Sequence, residues 1–263
     1  MAYTVWLPRG GDLSLRILTG LIAVPAVIFL IFQDPIYFKM ITLLVTYGLF
    51  REWSRLSLGE NHHWMNSLCL LAIVVAFMPV LYAGSIAIVL AGCGWLYYLE
   101  SFELKKFIII SVGYLYITFA MGIIVHILPK FGAYFILLVL ALVWCVDTGA
   151  FLSGKTIGGP KLAPTISPNK TWAGFFGGIF FGLSGVWLLI QAISLEVSTS
   201  FWIFSVISVF LAHGGDLLES WCKRYFNVKD SGTFLPGHGG FLDRLDSLLA
   251  VSFAVALLWY FCG

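Results

Sequence analysis

Asp243 and Asp246 stand three residues apart in "FLDRLDSLL", immediately before an apolar run. On a helix that spacing puts both carboxylates on one face. They repel unless something positive lies between them, and Arg244 points elsewhere around the helix. A divalent cation with oxygen ligands is the economical partner, since Mg²⁺ is typically held by one or two carboxylates together with phosphate oxygens. A second cation is compatible with the same chemistry. The plainer alternative is a pair of charges at a membrane interface. Upstream, "HGGDLLESWCKR" places Asp216, Ser220 and Lys223 on one helical face, with Glu219 beside them, four residues before Lys223. Asp216 falls near or inside an apolar segment, where a lone carboxylate needs a cation or a proton. Either Asp216 or Glu219 pairs with Lys223 and holds the helix end, or Asp216 joins Asp243 and Asp246 as a metal ligand.

Between these two stretches lies "LPGHGG". Gly237, Gly239 and Gly240 allow positive φ and close backbone approach, so their N–H groups can face an anion. Lys223, Arg224 and Lys229 precede this turn and Arg244 follows it, which makes the stretch read as a place for phosphate and metal together. His238 is either structural or a group that binds phosphate or moves a proton. Two upstream pieces join the set. Asp147 in "DTGAFLSGK" is an intramembrane carboxylate and therefore a functional candidate. In "SPNKTWAGFFGG", Ser167 or Thr171 can cap a helix whose electropositive start, with Lys170 beside it, suits an anion. Lys155, Lys161 and Lys170 also fit a plainer role, topology-setting charge in contact with anionic lipid. Gly174, Gly178 and Gly182 recur every four residues and predict close helix packing, with a homodimer seam as one form of it. His213, His238 and the five cysteines have no zinc-site spacing. The cysteines lie mostly inside apolar runs and read as small core fillers.

The elements that must carry these groups follow from composition. The chain has 263 residues, 60% of them hydrophobic and 11% charged, where a soluble chain carries about 25% charged. Apolar runs of about 18 residues or longer, enough to cross a bilayer as a helix, recur from end to end. Lipid forces backbone groups to pair within helices, and runs such as "AYFILLVLALVWCV" do not alternate as barrel strands would. The expected fold is an all-α polytopic membrane protein, a single domain over 1–263, with nine spans near 14–32, 36–50, 66–82, 84–99, 106–127, 132–153, 172–191, 201–221 and 246–262. With that count, Lys39 and Lys130 fall on one side and the rest of the 15 basic residues on the other. The basic side is expected in the cytoplasm, with the N-terminus and the polar loops.

The residues from Ser220 to Asp246 resemble the signature of the phosphatidate cytidylyltransferases, the CDP-diacylglycerol synthases, which has the form S-x-x-K-R-x4-K-D-x-G-x2-L-P-G-H-G-G-x2-D-R-x-D. Ser220, Lys223, Arg224, Lys229, Asp230, Gly232, Leu235, Pro236, His238, Gly239, Gly240, Asp243, Arg244 and Asp246 all match it. "DTGAFLSGK" and "SPNKTWAGFFGG" resemble two further blocks, so the likeness runs from Val146 to Leu249. Residues 1–130 are then N-terminal helices without motifs and 131–263 the catalytic half. Asn169, Ala173 and Cys222 depart from the residues common in that family.

The resemblance implies a nucleotidyltransferase of phospholipid biosynthesis, in which CTP and phosphatidate give CDP-diacylglycerol and pyrophosphate. It implies catalytic roles for Asp216, Lys223, Lys229, Asp243 and Asp246, the three aspartates holding Mg²⁺. Asp147, Lys155, Lys170, Ser220, Arg224, Gly237, His238, Gly239, Gly240 and Arg244 are the expected substrate contacts. The partners expected are CTP, phosphatidate and membrane lipids, with no nucleic acid, in a bacterial inner membrane. A CTP-dependent lipid kinase would share the phosphates but release CDP. A lipid transporter or scramblase would more often show repeated halves with broken helices, and the polar motifs here sit in one half only.

Overall fold

The computed structural model describes residues 11–59, 63–76, 82–100, 103–228, 231–232 and 240–262. Among them are eight helices and one small hairpin: α1 (Gly11–Ile31), α2 (Pro35–Leu58), α3 (His63–Ala76), α4 (Tyr82–Glu100), α5 (Leu104–Thr156), β1 (Lys161–Ala163), β2 (Ser167–Thr171), α6 (Trp172–Ala192), α7 (Thr199–Tyr225) and α8 (Leu242–Cys262). Four of these helices, α5 to α8, are long and apolar enough to cross a membrane. The two spans expected at 106–127 and 132–153 fall within the single element α5. Gly132 interrupts it with φ 81° and ψ 173°, three residues after Pro129. Proline removes a donor from the helical ladder, and glycine takes the positive φ that other residues resist.

Helix α2 runs further than expected. Asp34 caps its start, accepting from the Ile36 N–H at 2.9 Å, with Pro35 in the first turn. Gly59, at φ 83°, ends it and donates to the Arg55 carbonyl at 3.0 Å. The extension carries Glu52 and Trp53, both buried, beyond the apolar stretch. The Trp53 indole N–H donates to the Ile110 carbonyl of α5 at 3.0 Å. Its ring occupies the space that a Cβ on Gly113 would need, so α2 and α5 meet where residue 113 has no side chain.

The core follows α5, which packs most extensively on α6, while α8 packs on α7. The α5–α6 contact depends on the glycine stripe. A Cβ on Gly174 would approach the Ala150 carbonyl, one on Gly178 the Val146 carbonyl and the His213 ring, and one on Gly182 the Val146 side chain. Gly174, Gly178 and Gly182 are all buried. The close helix packing expected along the stripe is therefore made within the chain, against α5 and α7.

The hairpin is an addition to the all-α expectation. Its strands are antiparallel, with Lys161 opposite Thr171 and Ala163 opposite Ser167. Gly158 and Gly159, both at positive φ, turn the chain out of α5 into β1. Of the two capping candidates, Thr171 is the one used, its hydroxyl accepting from the Gly174 N–H at 3.1 Å.

Candidate active site

Helices α7 and α8 supply the carboxylates. Asp216 and Glu219 lie on α7 and Asp246 on α8, and each presents a ligand oxygen within 4.8 Å of the others. Helical spacing puts Asp216, Glu219 and Lys223 on one side of α7, and Asp246 faces them because Gly215 lets the helices close: a Cβ there would strike the Asp246 carbonyl and Ala250. Glu219 was weighed from sequence only as an ion-pair partner, yet it groups with Asp216 and Asp246. One of its oxygens, Oε1, is buried without a hydrogen-bond partner. A bare, buried carboxylate oxygen beside two other carboxylates fits an oxygen-ligated divalent cation.

Asp243 takes a different place. Its Oδ1 accepts from Lys223 Nζ at 2.7 Å, and its Oδ2 accepts from the Ser231 hydroxyl at 2.9 Å, the Gly240 N–H at 3.0 Å and the Ser231 N–H at 3.2 Å. Lys223 also pairs with Glu219 at 2.7 Å, so one ammonium joins the two helices. The ion pair foreseen at this helix end is made by Glu219 and not by Asp216. Asp216 meets Lys170, carried over on β2, at 2.6 Å. The hairpin is tied to α7 a second time, where Arg224 Nε donates to the Ile166 carbonyl at 3.3 Å.

Asp147 stands near this group. Its Oδ1 accepts from the Ser247 hydroxyl at 3.3 Å, and the same hydroxyl lies 3.2 Å from the Ala212 carbonyl. Asp147, Asp243 and Arg244 also line a cavity of about 520 Å³ between α1, α2, α5 and α8. The remaining wall is almost wholly apolar, including Val27, Ile41, Val139 and Leu248. Ser220 is half-buried on α7. Lys155 is exposed and lies over the Phe151 ring, 5.6 Å from its centroid. Lys229, Gly237, His238 and Gly239 lie outside the described residues; Gly240 is within them and serves Asp243.

Glu52 joins the site from outside the motifs. This buried carboxylate of α2 accepts from the N–H groups of Phe241, at 2.8 Å, and Leu242, at 2.9 Å, at the start of α8. The only signal in the sequence was a glutamate between Arg51 and Arg55, which reads as ordinary helix-end charge.

Together these features define a helical membrane protein with a carboxylate cluster suited to a divalent cation and flanked by lysines, and with a largely apolar cavity that Asp147, Asp243 and Arg244 also line. The chain belongs to the cytidylyltransferase family, whose match covers residues 14–262. It is 32% identical over 257 residues to the phosphatidate cytidylyltransferase of Brucella suis biovar 1 (strain 1330), covering 95% of this chain and 93% of that one. The proteins of the same name from Staphylococcus aureus (strain COL) and Staphylococcus saprophyticus subsp. saprophyticus are 42% and 40% identical over 154 residues, 57% of each chain. The family match thus extends well upstream of the signature blocks.

Proposed function

We propose that this protein is a phosphatidate cytidylyltransferase, joining CTP and phosphatidate into CDP-diacylglycerol with release of pyrophosphate. The observations that support the reading are the Asp216–Glu219–Asp246 cluster on α7 and α8 and, in the same chain, a largely apolar cavity lined also by Asp147, Asp243 and Arg244. A lipid phosphate needs both kinds of surface. The cavity offers its apolar length to the acyl chains, while Arg244 stands where the headgroup would lie.

In the reaction, a phosphatidate phosphate oxygen attacks the α-phosphorus of CTP in line. A new P–O bond forms, the bond to the β-phosphate oxygen breaks, and pyrophosphate leaves with that electron pair. No covalent enzyme intermediate is needed, so Ser220 has a positioning role. Asp216, Glu219 and Asp246 are the residues that would hold Mg²⁺. The bound cation would offset charge on the reacting phosphates. Lys223 keeps Glu219 and Asp243 at a fixed spacing, Lys170 orients Asp216, and Arg224 and Arg244 add positive charge for the phosphates. Lys229, Gly237, His238 and Gly239 are proposed to serve the nucleotide phosphates.

The test is purified protein in detergent, given phosphatidate and CTP labelled in the cytosine. Label should enter lipid, pyrophosphate should appear in equal amount, and EDTA should stop both. Release of CDP with phosphorylated lipid would instead identify a lipid kinase.

We further propose nine membrane spans, α5 counting as two on either side of Gly132, with the hairpin and the carboxylate cluster on the cytoplasmic side. A cysteine introduced at exposed Lys161 should then resist an impermeant thiol reagent added outside intact cells and react once the membrane is opened. Equal labelling before and after opening would overturn that orientation.

A further inference from the structure

Glu52 comes from the half of the chain without motifs, but its contacts are with the signature. Its carboxylate accepts from Phe241 N–H and Leu242 N–H at 2.8 and 2.9 Å, and its Oε2 lies 3.4 Å from the Ser231 hydroxyl. Side chains are excluded around it. A Cβ on Gly232 would fall 2.7 Å from Glu52 Oε1, and one on Gly240 would meet Glu52 Oε2 and Ser231 Oγ. Ser231 and Gly240 in turn hold Asp243, which holds Lys223, which holds Glu219. The first N–H groups of a helix lack partners within it, and here another helix supplies the acceptor.

We propose that Glu52 is a positioning residue for cytidylyl transfer. It fixes the start of α8 against α2, and so sets the position from which Asp243 and Asp246 reach the α7 carboxylates. This rests on the catalytic reading above, in which Asp216, Glu219 and Asp246 would hold the cation and Lys223 ties Asp243 to Glu219. A displacement of about 1 Å at such a site costs on the order of 100-fold in rate. The interaction needs two acceptor oxygens. Glu52→Gln keeps the shape, yet turns an NH₂ group toward one of the two N–H donors, which breaks that hydrogen bond. It also explains two signature glycines: Gly232 and Gly240 leave the room that the Glu52 carboxylate fills.

The experiment uses the full-length protein in detergent and reads three quantities for wild type, Glu52→Gln and a control, Thr46→Val. Thr46 is also buried on α2, but its hydroxyl donates within the helix, to the Thr42 carbonyl at 2.6 Å. Hydrogen exchange of the peptide containing Phe241 and Leu242 reads the clamp without any reference to activity. Turnover per folded molecule and the Mg²⁺ concentration for half-maximal rate read its consequence. Glu52→Gln should lose protection at Phe241 and Leu242, lose about 100-fold in kcat, and need several-fold more Mg²⁺; Thr46→Val should leave all three near wild type. Unchanged exchange in Glu52→Gln overturns the clamp. Faster exchange with wild-type kcat and Mg²⁺ dependence overturns the positioning role. Wild-type protein that shows the clamp but no CTP turnover would count against the catalytic reading and, with it, against this role. If Glu52→Gln does not fold, Gly232→Ala decides: its added methyl would fall 2.7 Å from Glu52 Oε1, so it should show the same loss of protection at Phe241 and Leu242 and a matching loss of kcat. Wild-type exchange and kcat in Gly232→Ala would overturn the proposal.

Discussion

Asp246→Asn, Asp216→Asn and Glu219→Gln are each expected to lose roughly 100-fold or more in CTP-dependent turnover, the range seen when one electrostatic contact to a transition state is removed. All three should also need more Mg²⁺ for half-maximal rate, since each removes a charged ligand from a cluster whose oxygens lie within 4.8 Å of one another. Asp243→Asn should behave differently. Its two oxygens already accept from Lys223, Gly240 and Ser231, so Asn would loosen the turn before α8 and lower turnover while the Mg²⁺ requirement stays near wild type. The measurement is a Mg²⁺ titration of initial rate at equal folded protein for all four variants. A raised requirement in Asp243→Asn, with none in Glu219→Gln, would restore the sequence-derived set of Asp216, Asp243 and Asp246 and remove Glu219.

That contrast shows how far the sequence could be read. The helical membrane fold followed from composition, and the signature gathered α7 and α8 into one site. Asp216 and Asp246 were both expected at a cation site, and the structure brings them together. That Glu219 groups with Asp216 and Asp246 while Asp243 pairs with Lys223 was not legible, because spacing on one helix fixes which residues share a face but not how far a second helix is rotated against the first. That rotation depends on Gly215, on Lys223 spanning both helices and on Glu52, which is 190 residues before Leu242. The β1–β2 hairpin was missed for another reason. Strands of 3 and 5 residues are too short for an alternating pattern to stand out, and what fixes this pair is the reach of Lys170 to Asp216 and of Arg224 to the Ile166 carbonyl.

Lys223→Gln is expected to cost both stability and activity, and a second substitution should separate the two. Lys223, Glu219 and Asp243 have side chains only 14%, 11% and 13% exposed. Removing the ammonium leaves two largely enclosed carboxylates near each other without their shared counter-charge. Breaking a buried pair from one side typically costs about 3–5 kcal/mol, so the Tm of Lys223→Gln in detergent should fall well below that of Lys105→Gln, whose lysine is exposed and lies over the Tyr225 ring. Adding Glu219→Gln removes one of the stranded charges. Neutral groups in place of a buried ion pair are often tolerated, so the double variant Lys223→Gln/Glu219→Gln should recover much of the lost Tm. It should not recover turnover, because Glu219 is gone from the carboxylate cluster. Thermal unfolding and CTP turnover on the same samples check both halves. If the double variant unfolds as early as the single one, Lys223 contributes something other than charge balance between α7 and α8. If it regains activity along with stability, Glu219 holds no cation, and Asp216 and Asp246 carry the metal without it.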